Sequence, residues 1–211
     1  KMDLDIQVSK LKLMKANHAS QKYRLEDNIT QHYPHQIAIF KERIEGFTAD
    51  MEKCAKNKPE DKEQFFMQVG GKPYTDKKEA GTAIIAMCKE IKGINASADV
   101  GEYLGFKLNV TFDSFNNKFV MNVKGAMSHP MEVGTDPLGN ITRINNALEA
   151  IPAQLEEAQT KLSNVEHQLE TAKAEVDKPF QQEAELSEKL ERLAELNSLL
   201  NMDEKGDDAI G

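Results

Sequence analysis

The sequence predicts an α+β protein: a long antiparallel coiled-coil arm of about three helices, carrying an inserted small antiparallel sheet plus one helix. Three observations predict it. From Leu148 through Ile151, Leu155, Ala158, Leu162, Val165, Leu169 and Ala172 to Val176, apolar residues alternate at spacings of three and four. That 3.5-residue period is a coiled-coil seam. A second stripe of the same spacing runs through Ile37, Phe40, Ile44, Phe47, Met51 and Cys54. Between the two, Phe106, Leu108, Val110 and Phe112 alternate with polar neighbours, as do Phe119, Met121 and Val123. A period of two marks strands with one buried and one wet face.

Residues 1–58 read as an N-terminal helical arm. Leu4, Val8 and Leu11 share one stripe and Leu25, Ile29 and Tyr33 another, while Lys15, His18 and Lys22 make the same face polar between them. Tyr33-Pro34 predicts a kink, because proline lacks the N–H that the helical ladder needs. Residues 63–135 read as the head. Gly70-Gly71 suits the turn of a short hairpin, and Thr75 is a good N-cap for a helix reaching about Lys92. Three strands are then expected, over Val100–Phe112, Lys118–Lys124 and Met127–Val133, with Asp113–Asn117 as a turn. Residues 137–202 complete the arm as a helical hairpin broken at Lys178-Pro179-Phe180, and Leu162 and Leu169 are expected to be buried in its seam. Residues 203–211 form an acidic tail.

Composition narrows the class. The 211 residues carry 35 acidic and 27 basic side chains, a net charge of −8, with 39% hydrophobic residues and no Trp. No apolar run approaches the roughly 20 residues of a membrane span, so no membrane partner is expected. Lys1-Met2-Asp3-Leu4-Asp5 lacks a basic region followed by an apolar stretch, so the start is not a signal peptide and reads as part of a longer protein. Cys54 and Cys88 cannot build a disulfide framework or a four-ligand zinc site, which points to the cytoplasm. Both fall on apolar stripes and read as core.

Few residues suggest chemistry. His32 and His35 have helical i, i+3 spacing, but Pro34 between them interrupts the helix that would align them, and no metal or cofactor is expected. His129 reads as a strand-end residue, since no acid or nucleophile is spaced to serve it, and no catalytic residue emerges. Asn140 and Arg143 open a helix whose free N–H groups suit an anion, although a simple capped start, with Asn140 or Asp136 as cap, is the alternative. Charge distribution says more. Residues 1–24 hold six bases and two acids, whereas residues 148–211 hold six bases and sixteen acids. Lys10, Lys12, Lys15, Lys22 and Arg24 therefore face one of two partners, the chain's own acids or the DNA backbone.

Several strings together resemble one family: Tyr74-Thr75 with Lys77-Lys78-Glu79-Ala80-Gly81, Gly105-Phe106, Phe112-Asp113, Lys124-Gly125 and Ser128-His129. Gly139-Asn140-Ile141 with Arg143 and Asn146, Lys178-Pro179-Phe180, and Glu195-Leu196-Asn197 with Leu199-Leu200 extend it over about residues 10–202. The chain resembles the C-terminal region of the large helicase and N6-adenine DNA methylase proteins, of SNF2 or DEAD/DEAH type, of bacterial conjugative elements. A phosphate-binding loop, an Asp-Glu-x-His box and an adenine-methylase motif are all missing from it. The resemblance implies a non-catalytic accessory module of such a mobile-element protein, acting as scaffold or DNA-positioning arm, with the remainder of the helicase/methylase polypeptide as partner. The alternative is a coiled-coil module for protein–protein interaction or self-association as a homo-oligomer, with no DNA contact.

Overall fold

A computed structural model describes residues 1–207, with side chains to Asn201. The acidic tail expected over 203–211 therefore lies outside the described side chains, and residues 208–211 lie outside the described residues altogether. In chain order the elements are α1 (Met2–Asp27), a π-helical turn (Asn28–His32), α2 (Tyr33–Asn57), β1 (Met67–Val69), β2 (Lys72–Tyr74), α3 (Lys77–Glu90), β3 (Ser97–Tyr103), β4 (Phe106–Asp113), β5 (Lys118–Lys124), β6 (Ser128–Val133), α4 (Pro137–Glu149), α5 (Ile151–Val176) and α6 (Glu183–Asp207). The class is α+β. Two compact units divide the chain, residues 37–163 and residues 1–36 with 164 onward, and the boundary falls within α2 and α5.

One turn before Tyr33-Pro34, where a kink is expected, the helix carries a π turn. The Tyr33 N–H donates to Asn28 O, five residues back, so one residue is looped into the helix before the proline. A π turn there shifts the hydrogen-bond register where Pro34 supplies no donor.

In the unit of residues 37–163, six antiparallel strands form one sheet in the order β2-β1-β3-β4-β5-β6. Phe106, Leu108 and Val110 of β4 and Met121 and Val123 of β5 are fully buried on one face. Ile84 of α3, Ile141 and Ile144 of α4, and Ile151 share that core, with Phe47, Met51 and Cys54 of α2 packed against it. On the opposite face, β4 and β5 pair Lys107 with Lys124 and Asn109 with Asn122.

Three expectations for this region need correction. The strand expected over Val100–Phe112 is two strands, joined at Leu104-Gly105 with φ values of 49° and 80°. Gly105 suits such a turn, but leucine is a poor residue for positive φ, so Leu104 hides it. Secondly, the sheet has a second helix: α4, assigned from the pattern to the helical hairpin, packs on α3 and β6. The Leu148–Val176 stripe is interrupted between Glu149 and Ile151, and Pro152 falls in the first turn of α5, where its missing N–H costs nothing. Finally, the N-cap of α3 is Asp76 rather than Thr75, its carboxylate accepting from the Glu79 N–H at 2.9 Å.

Close packing of α3 on α4 depends on Gly81. A Cβ built there would meet the Pro137 carbonyl oxygen at 2.1 Å, so only glycine admits the α4 N-terminus at this distance.

In the other unit α1 packs on α6, burying Val8, Leu11 and Leu186, with Leu4, Met14, Phe180, Leu190 and Leu193 around them. Gln7 meets Lys189 and Lys15 meets Glu183, so the two helices run antiparallel. Along α5 the buried seam residues are Ile151, Ala158, Val165 and Ala172. Leu162 and Leu169, expected to be buried, are only half-buried.

Candidate functional site

All five basic residues singled out on α1 are exposed. At 100° per residue, Lys12, Lys15 and Lys22 fall within about 80° of one another, while Lys10 and Arg24 lie together on another side. The helix thus presents two basic faces rather than one. Lys15 pairs with Glu183 at 2.6 Å, both side chains about half exposed. Among the described residues, Lys10, Lys12, Lys22 and Arg24 make no ion pair.

The loop before α4 is held by its own side chains. Asp136 caps the helix, accepting from the Gly139 N–H at 2.7 Å. Asn140, fully buried, accepts from the Gly134 N–H at 2.7 Å and donates to the Gly134 carbonyl at 3.0 Å, as a neighbouring strand would. Arg143 Nη1 donates to the Glu132 carbonyl at 3.3 Å and approaches Asn140 Oδ1 at 3.4 Å. The two residues expected to suit an anion are thus occupied in closing the β6–α4 connection.

Sequence spacing misses a buried pair. It offers His129 no acid, yet the Nε2 of this residue lies 2.7 Å from Asp50 Oδ2, contributed by α2 seventy-nine residues upstream. A carboxyl oxygen that also accepts from the backbone takes the imidazole N–H as donor. The same carboxyl accepts from the Ala126 N–H at 2.7 Å and the Met127 N–H at 2.9 Å. Asp50 is 0% exposed and His129 2%, and the imidazole packs near the rings of Phe47 and Phe106, each 6.1 Å away between centroids. Gly125 makes room, since a Cβ there would meet Asp50 Oδ1 at 2.1 Å. Asp50 falls at a polar position of the α2 stripe, one residue before Met51. That is the only sequence signal, and it does not name a partner. Closed on every side, the pair ties α2 to the β5–β6 turn and presents no reacting face to solvent.

Burial raises the Cys88 thiol to about 11. It also raises Cys54, where the nearby Asp50 adds to the effect, and neither environment activates a nucleophile. Tyr103 is likewise raised by burial, opposed by its hydrogen bond to Asn145 Oδ1 at 2.9 Å. Among the described residues no three His, Cys, Asp or Glu side chains are grouped to hold a metal, and no helix is long and apolar enough to cross a membrane. Comparison with protein-family models, with curated proteins and with solved structures finds no match.

Proposed function

We propose that the chain is a non-catalytic accessory module of a DNA helicase/methylase-like protein of a mobile element, and that α1 contacts the nucleic-acid backbone. The observation that carries this reading is the unneutralised charge on α1. Internal pairing with the acidic C-terminal helices is the competing explanation, and among the described residues only Lys15 of the five basic residues has such a partner. Cations left without carboxylates on an exposed helix suit a polyanion, which they bind by displacing its counterions. The family resemblance supplies the context of DNA. The site is built for charge rather than base readout, because Tyr23 is the one aromatic among these residues.

Binding should be weak, with a Kd of about 10⁻⁴–10⁻⁶ M at physiological salt, and indifferent to sequence. Lys12→Gln, Lys15→Gln and Lys22→Gln together should lower the salt slope by roughly 0.9 for every phosphate no longer neutralised. Equal binding by parent and triple variant, or none by the parent at low salt, would remove DNA from the reading. A second reading, self-association through a coiled coil, is favoured by an exposed stripe on the side of α1 facing away from Val8 and Leu11. Met2, Ile6, Leu13 and Tyr23 are 79%, 61%, 63% and 72% exposed there, linked at heptad spacing by Ser9, Ala16 and Ser20. Sedimentation at increasing concentration tests it: a mass that stays monomeric rules it out.

A further inference from the structure

We propose that the cleft lined by Met51, Cys54, Phe65, Leu104 and Leu148 binds a small amphipathic anion, an apolar body bearing one carboxylate or phosphate. The cleft measures about 600 Å³, within the range of small-molecule sites. Its walls are the C-terminal half of α2, the segment 58–65, Lys77 at the start of α3, the β3–β4 turn, the end of α4 and Pro152 of α5, all in the unit of residues 37–163. The α1 surface takes no part in it.

Two features select the ligand class. Its lining charges are Lys58, Lys62 and Lys77 against Glu149 alone, a local net of +2 in a chain whose net charge is −8. Among the described residues none of these lysines makes an ion pair. Ammonium groups beside apolar walls attract an anion more strongly than the same groups in open water. The second feature is the apolar lining, which a wholly polar anion such as free phosphate would leave unused. Leu104 contributes to it from a left-handed backbone with φ of 49°, a conformation Gly or Asn adopts more easily. The neighbouring cleft of about 660 Å³ shares Phe65 and Leu104 but carries Glu63 and Glu102 as its charges, so its sign is wrong for such a ligand.

Cys54 lies in the lining and reports occupancy, whereas Cys88 is buried in α3. The test uses the whole chain with decanoate or decyl phosphate below micelle-forming concentrations. Alkylation of Cys54 by iodoacetamide is followed by peptide mass mapping, with calorimetry as a second readout. Either anion should slow Cys54 alkylation saturably, with carboxylate or phosphate preference read from the two curves; decanol and acetate should not. Lys58→Gln, Lys62→Gln and Lys77→Gln together should raise Kd by about tenfold, since the variant removes three exposed charges, each worth little by itself, from the anion's surroundings. Equal protection by decanol overturns the proposal, as do protection accompanied by loss of the helical dichroism signal and unchanged affinity in the triple variant. Failure of both anions overturns it too, and an acidic peptide that protects where they fail would make the cleft a protein-docking surface.

Discussion

Replacing Asp50 by Ala removes the acceptor for three donors at once: the Ala126 and Met127 amides and the His129 imidazole, at 2.7, 2.9 and 2.7 Å. Each buried donor left without a partner costs about 1–3 kcal/mol, and losing one member of a buried ionisable pair costs about 3–5 kcal/mol. The lower end of the summed donor penalties meets the pair value, so Asp50→Ala should destabilise by about 3–5 kcal/mol. Asp50→Asn keeps the shape and one acceptor oxygen but turns an NH2 toward a donor, and should cost about 1–3 kcal/mol. Urea unfolding followed by far-ultraviolet dichroism reads the loss, with hydrogen exchange at the Ala126 and Met127 amides reading it locally. A double-mutant cycle with His129→Phe, whose ring suits the space near Phe47 and Phe106, isolates the pair. Its coupling should fall within about 0.5–3 kcal/mol, with the double variant less damaged than the sum of the singles. An Asp50→Ala cost below about 1 kcal/mol, or strict additivity in the cycle, would refute the account of this pair as the tie between α2 and the β5–β6 turn.

Further outcomes are expected at other positions. Gly81→Ala should cost about 1–3 kcal/mol by forcing α3 from the Pro137 carbonyl, measured as a lowered melting temperature. Asp76→Ala and Asp136→Ala should each cost about 0.5–2 kcal/mol through loss of an N-cap, with Asn in either place restoring most of it. For pH, burial lifts Cys88 from 9.0 to about 11 and raises Cys54 and Tyr103 as well. The folded state keeps these protons after the unfolded chain has lost them, so the Cys88 contribution is complete below 9.0 and lost as pH rises toward about 11. Urea midpoints should fall through that window, and Cys88→Ala should make the fall shallower; identical slopes would disprove the Cys88 share.

Element type was legible where the pattern is local. The 3.5-residue stripe of α2 and the period of two in β4 and β5 record which side of each element meets the core, and a short window of sequence contains that record. Pro34 marked a disturbance in the helix, although its form, a π turn over Asn28–His32, follows from how the ladder re-registers rather than from any residue type. The β3–β4 turn escaped notice for a related reason: Leu104 carries no turn signal, and its left-handed backbone is tolerated only because the flanking strands pair on both sides of it.

Tertiary structure decided what two distant segments do together. Nothing within ten residues of His129 announces Asp50, and nothing near Asp50 announces the Ala126 and Met127 amides. Their partnership arises because α2 crosses the β5–β6 turn at Gly125, where the absent side chain leaves room for a carboxyl. Likewise α4 carries an apolar face that serves equally for a coiled-coil seam or for α3, and the close approach at Gly81 selects α3. The sequence by itself determined periodicity and the uneven distribution of charge, both properties of neighbouring residues. Which faces meet and which basic side chains lie beside an acid depend on distances across the fold, and chain spacing does not encode those distances.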